Sequence, residues 1–231
     1  MPPDAYFRAV REICTRHGIF LVFDEVLCGA GRSGQFITAH HWPDALPDII
    51  VQAKGLGGGH FPLGAMWVSA KYADRLAELS GFDFTYSYNA NPIACAVGIA
   101  VLDEIEKRGL CENPVTRGAD LRAGLERLKE RYPIVGDVRG KGLLLAVELV
   151  ADQDSKAPLP LDFMATSRIR AHGLNNGIML YARPSAGARF GQWFIVAPPL
   201  TITPDEIYNI LERTEATVSA VCEEAQKSEL L

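Results

Sequence analysis

Two residues of opposite charge close apolar runs in this chain, Asp24 in "IFLVFDE" and Lys54 in "PDIIVQAK". Lysine normally keeps its ammonium in water, so one set between Ile49-Ile50-Val51 and a flexible "GLGGG" either snorkels outward or is held there to react. Three chemistries suit a lysine beside glycines. In a nucleotide phosphate loop the lysine follows the glycines and precedes Ser or Thr, an order reversed here. A dinucleotide site would use "GAGRSG", Gly29–Gly34, as GxGxxG. The third glycine must then open a helix, and "QFITAHHWPDALPD" has no helical period and two prolines. With 21 glycines in the chain, a chance match explains it better. The third chemistry pairs Lys54 with Asp24. An amine that forms a Schiff base with an aldehyde, and a carboxylate that keeps a pyridine nitrogen protonated, are what pyridoxal phosphate needs. One lies on a ring face and the other in the ring plane, so different strands should supply them. On these two residues alone, a turn-capping aspartate and a solvated strand-end lysine remain the better account.

The elements that must position the pair follow from the local pattern. "PPDAYFRAVREICTRHG" reads as a helix with prolines in its first turn and Gly18 at its end. "IFLVFDE" and "PDIIVQAK" read as buried strands ending at Asp24 and Lys54, "LGAMWVS" as another strand and "KYADRLAELS" as a short helix. "NPIACAVGIAVLDEIEKRG" has an Asn-Pro start and a Gly109 stop. Beyond it come a charged helix over roughly 113–131, two strands around Gly140 and Gly142, and a helix through "DFMATSRIRAHGLNNG". Strands "IMLYA" and "QWFIVAPPL" follow, then a final helix with Thr203 and Glu206 as a capping box and Pro204 in first position. Strand–helix alternation in the first half predicts an α/β fold with a mainly parallel sheet. The second half reads as a smaller α+β domain.

Composition narrows the function classes. A net charge of −5, with basic residues scattered, argues against nucleic acid as partner. No stretch approaches the roughly 18 apolar residues of a membrane helix, and no signal-peptide pattern opens the chain. Five cysteines without CxxC spacing fit reduced, mostly buried thiols in a cytoplasmic protein, and neither they nor the five histidines make a metal pattern.

Long motifs in order complete the reading. "LVFDEVLCGAGRSGQF", "PDIIVQAKGLGGGHFPLGAMWVS", "SYNANPIACAVGIAVL", "VGDVRGKGLLLAVEL" and "APPLTIT" together resemble the class III, pyridoxal-phosphate-dependent aminotransferases of fold type I. Within that family the chain is most similar to the ω-amino-acid and amine transaminase branches. The resemblance implies part of the cofactor-binding large domain over 1–108 and a small C-terminal domain over 109–231. It implies that Lys54 carries the cofactor, that Asp24 pairs with the pyridine nitrogen and that Val26 packs on the ring. Ser87, or nearby Thr85, would bind the cofactor phosphate of a neighbouring subunit in a homodimer. The arginine that clamps an α-carboxylate in some members is replaced by Ile195. Arg189 and Arg183, in "ARPSAGARFGQW", are then the candidates for a keto-acid carboxylate, with solvated arginines the plain alternative. The implied activity is ping-pong transfer of an amino group from an amine or amino acid to a keto acid. An aminomutase, racemase or decarboxylase of the same fold, or an inactive truncated homologue, are the rivals. The match covers only the C-terminal half of the family's length, which implies a fragment or a second chain that supplies the rest.

Overall fold

The computed structural model describes residues 2–81, 86–184 and 191–231. Thr85 and Arg189 lie outside the described residues. The chain forms two compact units, Met1–Glu112 and Asn113–Leu231.

In the first unit, α1 (Asp4–His17) ends at Gly18, whose φ of 63° lets its backbone N–H turn back onto the last helical carbonyls. Strands β1 (Val22–Asp24) and β2 (Ile49–Gln52) pair in parallel, and β3 (Ala65–Val68) pairs antiparallel with β2. The sheet is thus mixed, not mainly parallel. The link from β2 to β3 contains only a tight 3₁₀ turn, Lys54–Gly57, and no crossover helix, so β3 runs back beside β2. Helices α2 (Ala70–Leu79) and α3 (Pro92–Lys107) follow. Asn91 caps α3, accepting hydrogen bonds from the N–H groups of Ile93 and Ala94 at 3.0 and 3.1 Å.

The expectation of buried strands is corrected. Val22 is 49% and Met66 59% exposed, and Ile49, Ile50 and Val51 are only half-buried. Apolar side chains of these strands have too few partners within the chain to leave water. The cysteines also divide more evenly than expected: Cys14 and Cys222 are buried, Cys28 and Cys111 intermediate and Cys95 exposed, all of them free thiols.

One anchor fixes the end of the sheet away from Lys54. The Asp48 carboxylate accepts hydrogen bonds from Arg11 (2.8 Å), the Leu21 N–H (2.9 Å) and the Tyr72 hydroxyl (3.0 Å), tying α1, the approach to β1 and α2 together. Burial alone would raise this carboxyl's pKa. The three hydrogen bonds and the Arg11 charge outweigh it and hold the group below its ordinary value.

The second unit is an antiparallel sheet in the order β4-β5-β7-β6, built from β4 (Val135–Lys141), β5 (Leu144–Leu149), β7 (Gln192–Val196) and β6 (Tyr181–Pro184). Helices α4 (Asn113–Arg131) and α5 (Ala165–Asn175) pack on it, and α6 (Pro204–Lys227) packs against both helices. Alternate strand residues Val138, Val147, Phe194 and Ala182 point into the core with Leu121, Leu125, Ile169 and Val218 of the helices. Gly118 permits the close approach of α4, since a Cβ there would meet the Gly142 carbonyl oxygen at 2.5 Å. The strand expected from Ile178 begins only at Tyr181, where pairing with β7 becomes available.

Candidate active site

Asp24 and Lys54 come to the same edge of the first sheet. Asp24 is in register with Val51, and Lys54 follows Val51 by three residues. Parallel pairing continues one step past β1, where the Glu25 N–H donates to the Val51 carbonyl at 2.8 Å. Both chain segments therefore leave the sheet side by side. The Asp24 carboxylate is exposed, with Oδ1 held by the Val26 N–H at 2.9 Å. This short loop between acid and amide fixes the carboxylate's direction and leaves Val26 half-buried beside it.

Lys54 has the conformation of a residue held by its surroundings. Ala53 before it is extended, and Lys54 itself has φ 45°. Left-handed backbone costs a non-glycine residue roughly 1–2 kcal/mol, so the turn must be enforced. Hydrogen bonds from Leu56 N–H to Ala53 O (3.0 Å), Gly58 N–H to Gly55 O (3.0 Å) and His60 N–H to Gly57 O (2.9 Å) hold it from within. Helix α3 supports it from outside. A Cβ on Gly98 would meet Leu63 Cδ2 at 2.7 Å, and one on Gly58 would meet Val101 Cγ2 at 2.9 Å. Lys54 is exposed, and among the described residues no hydrogen bond or ion pair engages its ammonium.

The acid beside Asp24 does different work. Glu25 is only 2% exposed, and its carboxylate accepts from the backbone N–H groups of Thr38 (2.8 Å) and Ala39 (2.7 Å) and from Gln52 Nε2 (3.0 Å). Three donors compensate the buried charge and fold the loop from Val26 to His41 back onto the strand ends. Gln52, 1% exposed, also donates to the Phe36 carbonyl (3.1 Å) and accepts from Trp67 Nε1 (3.2 Å). "GAGRSG" is part of this packing. A Cβ on Gly29 would lie 2.6 Å from Gln52 Nε2, and one on Gly55 would touch the Ala30 Cβ at 3.3 Å. No helix follows these glycines; 3₁₀ turns at Thr38–His41 and Pro43–Ala45 do.

Sequence reading missed Glu25, Gln52 and Trp67. Their only signal was a second acid after Asp24 and a glutamine in an apolar strand, polar groups that a buried position obliges to find partners. Cys28 is no competing nucleophile: burial raises its thiol pKa, and the charges of Glu25 and Asp24 add to that against a hydrogen bond with Thr38.

Ser87 is exposed, in the turn that precedes α3. Arg183 belongs to β6 of the second unit, not to a loop, and its guanidinium lies 5.7 Å from the Tyr181 ring centroid. Ile195 is on β7, in register with Tyr181. No group of three or more His, Cys, Asp or Glu able to hold a metal exists among the described residues. No helix there is long and apolar enough to cross a membrane.

The class III aminotransferase family model matches residues 1–218. The chain belongs to the class III aminotransferases. Its similarity to an uncharacterized aminotransferase, YodT, of Bacillus subtilis (strain 168) is 34% identity over 222 residues, 95% of this chain and 50% of that protein. It is also 34% identical, over 97% of this chain and 44% of the relative, to an (R)-1-hydroxy-2-aminoethylphosphonate ammonia-lyase of Vibrio splendidus (strain 12B01). Among solved structures, a PLP-bound amine transaminase from an uncultivated Pseudomonas species is 39% identical with a TM-score of 0.85, over 96% of this chain and 49% of that one. The aminotransferase chain thus spans about half the length of the relatives it matches.

Proposed function

We propose that this chain carries the reacting amine and the ring-facing carboxylate of a pyridoxal-phosphate-dependent aminotransferase. Residues 1–108 would belong to the fold type I large domain, and 109–231 to the small domain. The observation that carries the reading is the shared sheet edge of Asp24 and Lys54, with Lys54 in an enforced left-handed turn and its amine free of any protein partner among the described residues. The donor set fits the cofactor: an accessible primary amine, a carboxylate aimed by the Val26 N–H, and an apolar side chain beside it.

When bound, pyridoxal phosphate supplies an aldehyde that takes up amines and a ring that withdraws electrons from the bond being broken. Lys54 would hold the cofactor through its Nζ and, when its amine is free, would serve as the base that takes up and returns a proton. Asp24 would face the ring nitrogen with its carboxylate, and Val26 would lie against the ring. Ser87, with Thr85 as the nearby alternative, would donate its hydroxyl to a phosphate across a homodimer. Arg189 and Arg183 are the proposed contacts for a keto-acid carboxylate, since the α-carboxylate clamp position is Ile195. A cytoplasmic homodimer acting on an amine or amino-acid donor and a keto acid is the whole-protein reading.

Lys54→Ala should abolish the visible absorbance that wild-type protein acquires with pyridoxal phosphate; a retained band would reject the assignment. The ammonia-lyase relative favours one second reading, release of ammonia by elimination in place of amino-group transfer. Amino-group transfer to a keto acid supports the aminotransferase, whereas ammonia released without an amino acceptor supports the lyase.

A further inference from the structure

The lysine turn is strained, yet among the described residues no hydrogen bond or ion pair holds the Lys54 side chain. What enforces it must act through its neighbours, and the strongest buried interactions near it are those of Glu25 and Gln52. Gln52 uses both amide hydrogens, toward Glu25 Oε2 and Phe36 O, and its oxygen faces the Trp67 indole N–H. Only one orientation of that amide satisfies all three partners. Gln52 is therefore pinned in both position and rotation. One extended residue, Ala53, separates it from Lys54. From the other direction the loop that Glu25 holds by the Thr38 and Ala39 amides presses Gly29 against Gln52 and Ala30 against Gly55. The residues two before and one after Lys54 are thus clamped by one buried carboxylate.

We infer that Glu25, acting through Gln52, is the positioning residue that keeps Lys54 in its left-handed turn and aims its amine along the edge occupied by Asp24. Trp67 is the outer end of the same chain of hydrogen bonds. Without the Glu25 charge, the donors at Thr38, Ala39 and Gln52 lose a shared acceptor. Gln52 then turns, and Lys54 relaxes to an ordinary right-handed backbone that carries its Cβ off the edge. Asp24 keeps its own support in the Val26 N–H, so the defect falls on the amine and not on the carboxylate.

This rests on the reading of Lys54 as the cofactor-bearing amine, and one experiment separates the two. The 231-residue chain is incubated with pyridoxal phosphate and reduced with borohydride, and labelling at Lys54 is measured by peptide mass spectrometry relative to exposed Lys107. In wild type the ratio should exceed one; a ratio of one or less overturns the reading of Lys54 and this inference with it. Given a wild-type preference, Glu25→Gln and Gln52→Leu should lower the ratio about tenfold, as misplacement of a reacting group does. Trp67→Phe should lower it less. Asp48→Asn removes a different buried carboxylate, at the opposite end of the same sheet, and serves as the measure of mere destabilisation. It should leave the ratio unchanged. If Asp48→Asn lowers the ratio as much as Glu25→Gln, or if Glu25→Gln does not lower it, Glu25 is structural only and the inference fails while the reading of Lys54 stands.

Discussion

The two units bury their apolar residues very differently. The contiguous core of buried residues runs from Leu121 to Ala225 and lies wholly in the second unit, where helices cover one side of a four-stranded sheet. Among the described residues of the first unit, the buried apolar side chains are small or isolated: Ala30, Ala39, Ala45, Ala94, Cys14, Leu21, Leu56 and Ile105. Several of its larger ones, Phe20, Val22, Met66, Trp67, Ile93 and Ile99, face water, while Phe7, Phe23 and Trp42 pack on one another only half-buried. The first unit instead concentrates its order in two buried carboxylates, Asp48 at one end of the sheet and Glu25 at the other. The proposed reacting amine and carboxylate, Lys54 and Asp24, belong to the unit held by polar clamps around a small sheet and not to the unit with the packed core. Left-handed non-glycine backbone occurs in both units, at Lys54 in the first and at Lys156 and Met164 in the second, so what distinguishes Lys54 is the buried hydrogen-bonded clamp around its turn rather than the strain itself.

That contrast breaks first under core truncation. Phe194→Ala empties a fully buried position on β7 and should cost about 3–5 kcal/mol, against urea denaturation of the wild type. Hydrogen exchange of peptides from each unit should place the loss in 113–231. Equal loss in 1–112 would mean that the units do not differ in what stabilises them.

Acid should act on the first unit through Asp48. Its folded pKa is depressed, so its contribution is present above the unfolded carboxylate value of about 4 and is lost as pH falls through the folded value. Asp48→Asn should cost about 2 kcal/mol at neutral pH, as expected for hydrogen bonds to a charged group. It should also flatten the acid limb of exchange in 1–112, while the limb of 113–231 persists. There Asp137 and Glu224 are likewise depressed, burial being outweighed at Asp137 by Arg139 and Lys129, and at Glu224 by His172 and Arg168. An unchanged limb in the first unit would remove Asp48 from its role as anchor.

The same contrast explains what could be read beforehand. Helices α1, α4 and α6 were legible because local rules set their ends: Gly18 at one, a charged 3.6-residue pattern in another, Thr203, Pro204 and Glu206 in the third. Lys54 and Asp24 stood out because polar groups at the ends of apolar runs are rare. The mixed sheet was not legible, since "LGAMWVS" has the same alternation whichever way it pairs. Neither was the exposure of β1 and β2, because an apolar run states what a strand prefers to bury against and not whether that partner is present. Glu25 and Gln52 meet across 27 positions, and no local pattern announces such a pair.

Thr203→Ala sharpens the comparison at a smaller scale. The hydroxyl accepts from the Glu206 N–H at 3.3 Å and starts a 24-residue helix already packed in the second core. Loss of such a cap should cost about 1 kcal/mol in thermal or urea unfolding, without a change in labelling at Lys54. A change at Lys54 would show that order in the second unit is transmitted to the first.

The smallest effect on stability, and the most telling about the first unit, is expected at Phe20. It is 57% exposed and touches Tyr72 edge-on with ring centroids 4.8 Å apart, so little of its surface leaves water on folding. Phe20→Ser should shift the unfolding free energy by no more than about 0.5 kcal/mol, the range of exposed substitutions. Its consequence should appear instead in association, because Phe20, Val22 and Met66 leave apolar surface on a short sheet, and such surface draws chains together. Static light scattering against concentration should fall for Phe20→Ser relative to wild type. If scattering is unchanged while the unfolding free energy drops by several kcal/mol, Phe20 is a core residue despite its exposure, and the division between a packed unit and a clamped one is wrong.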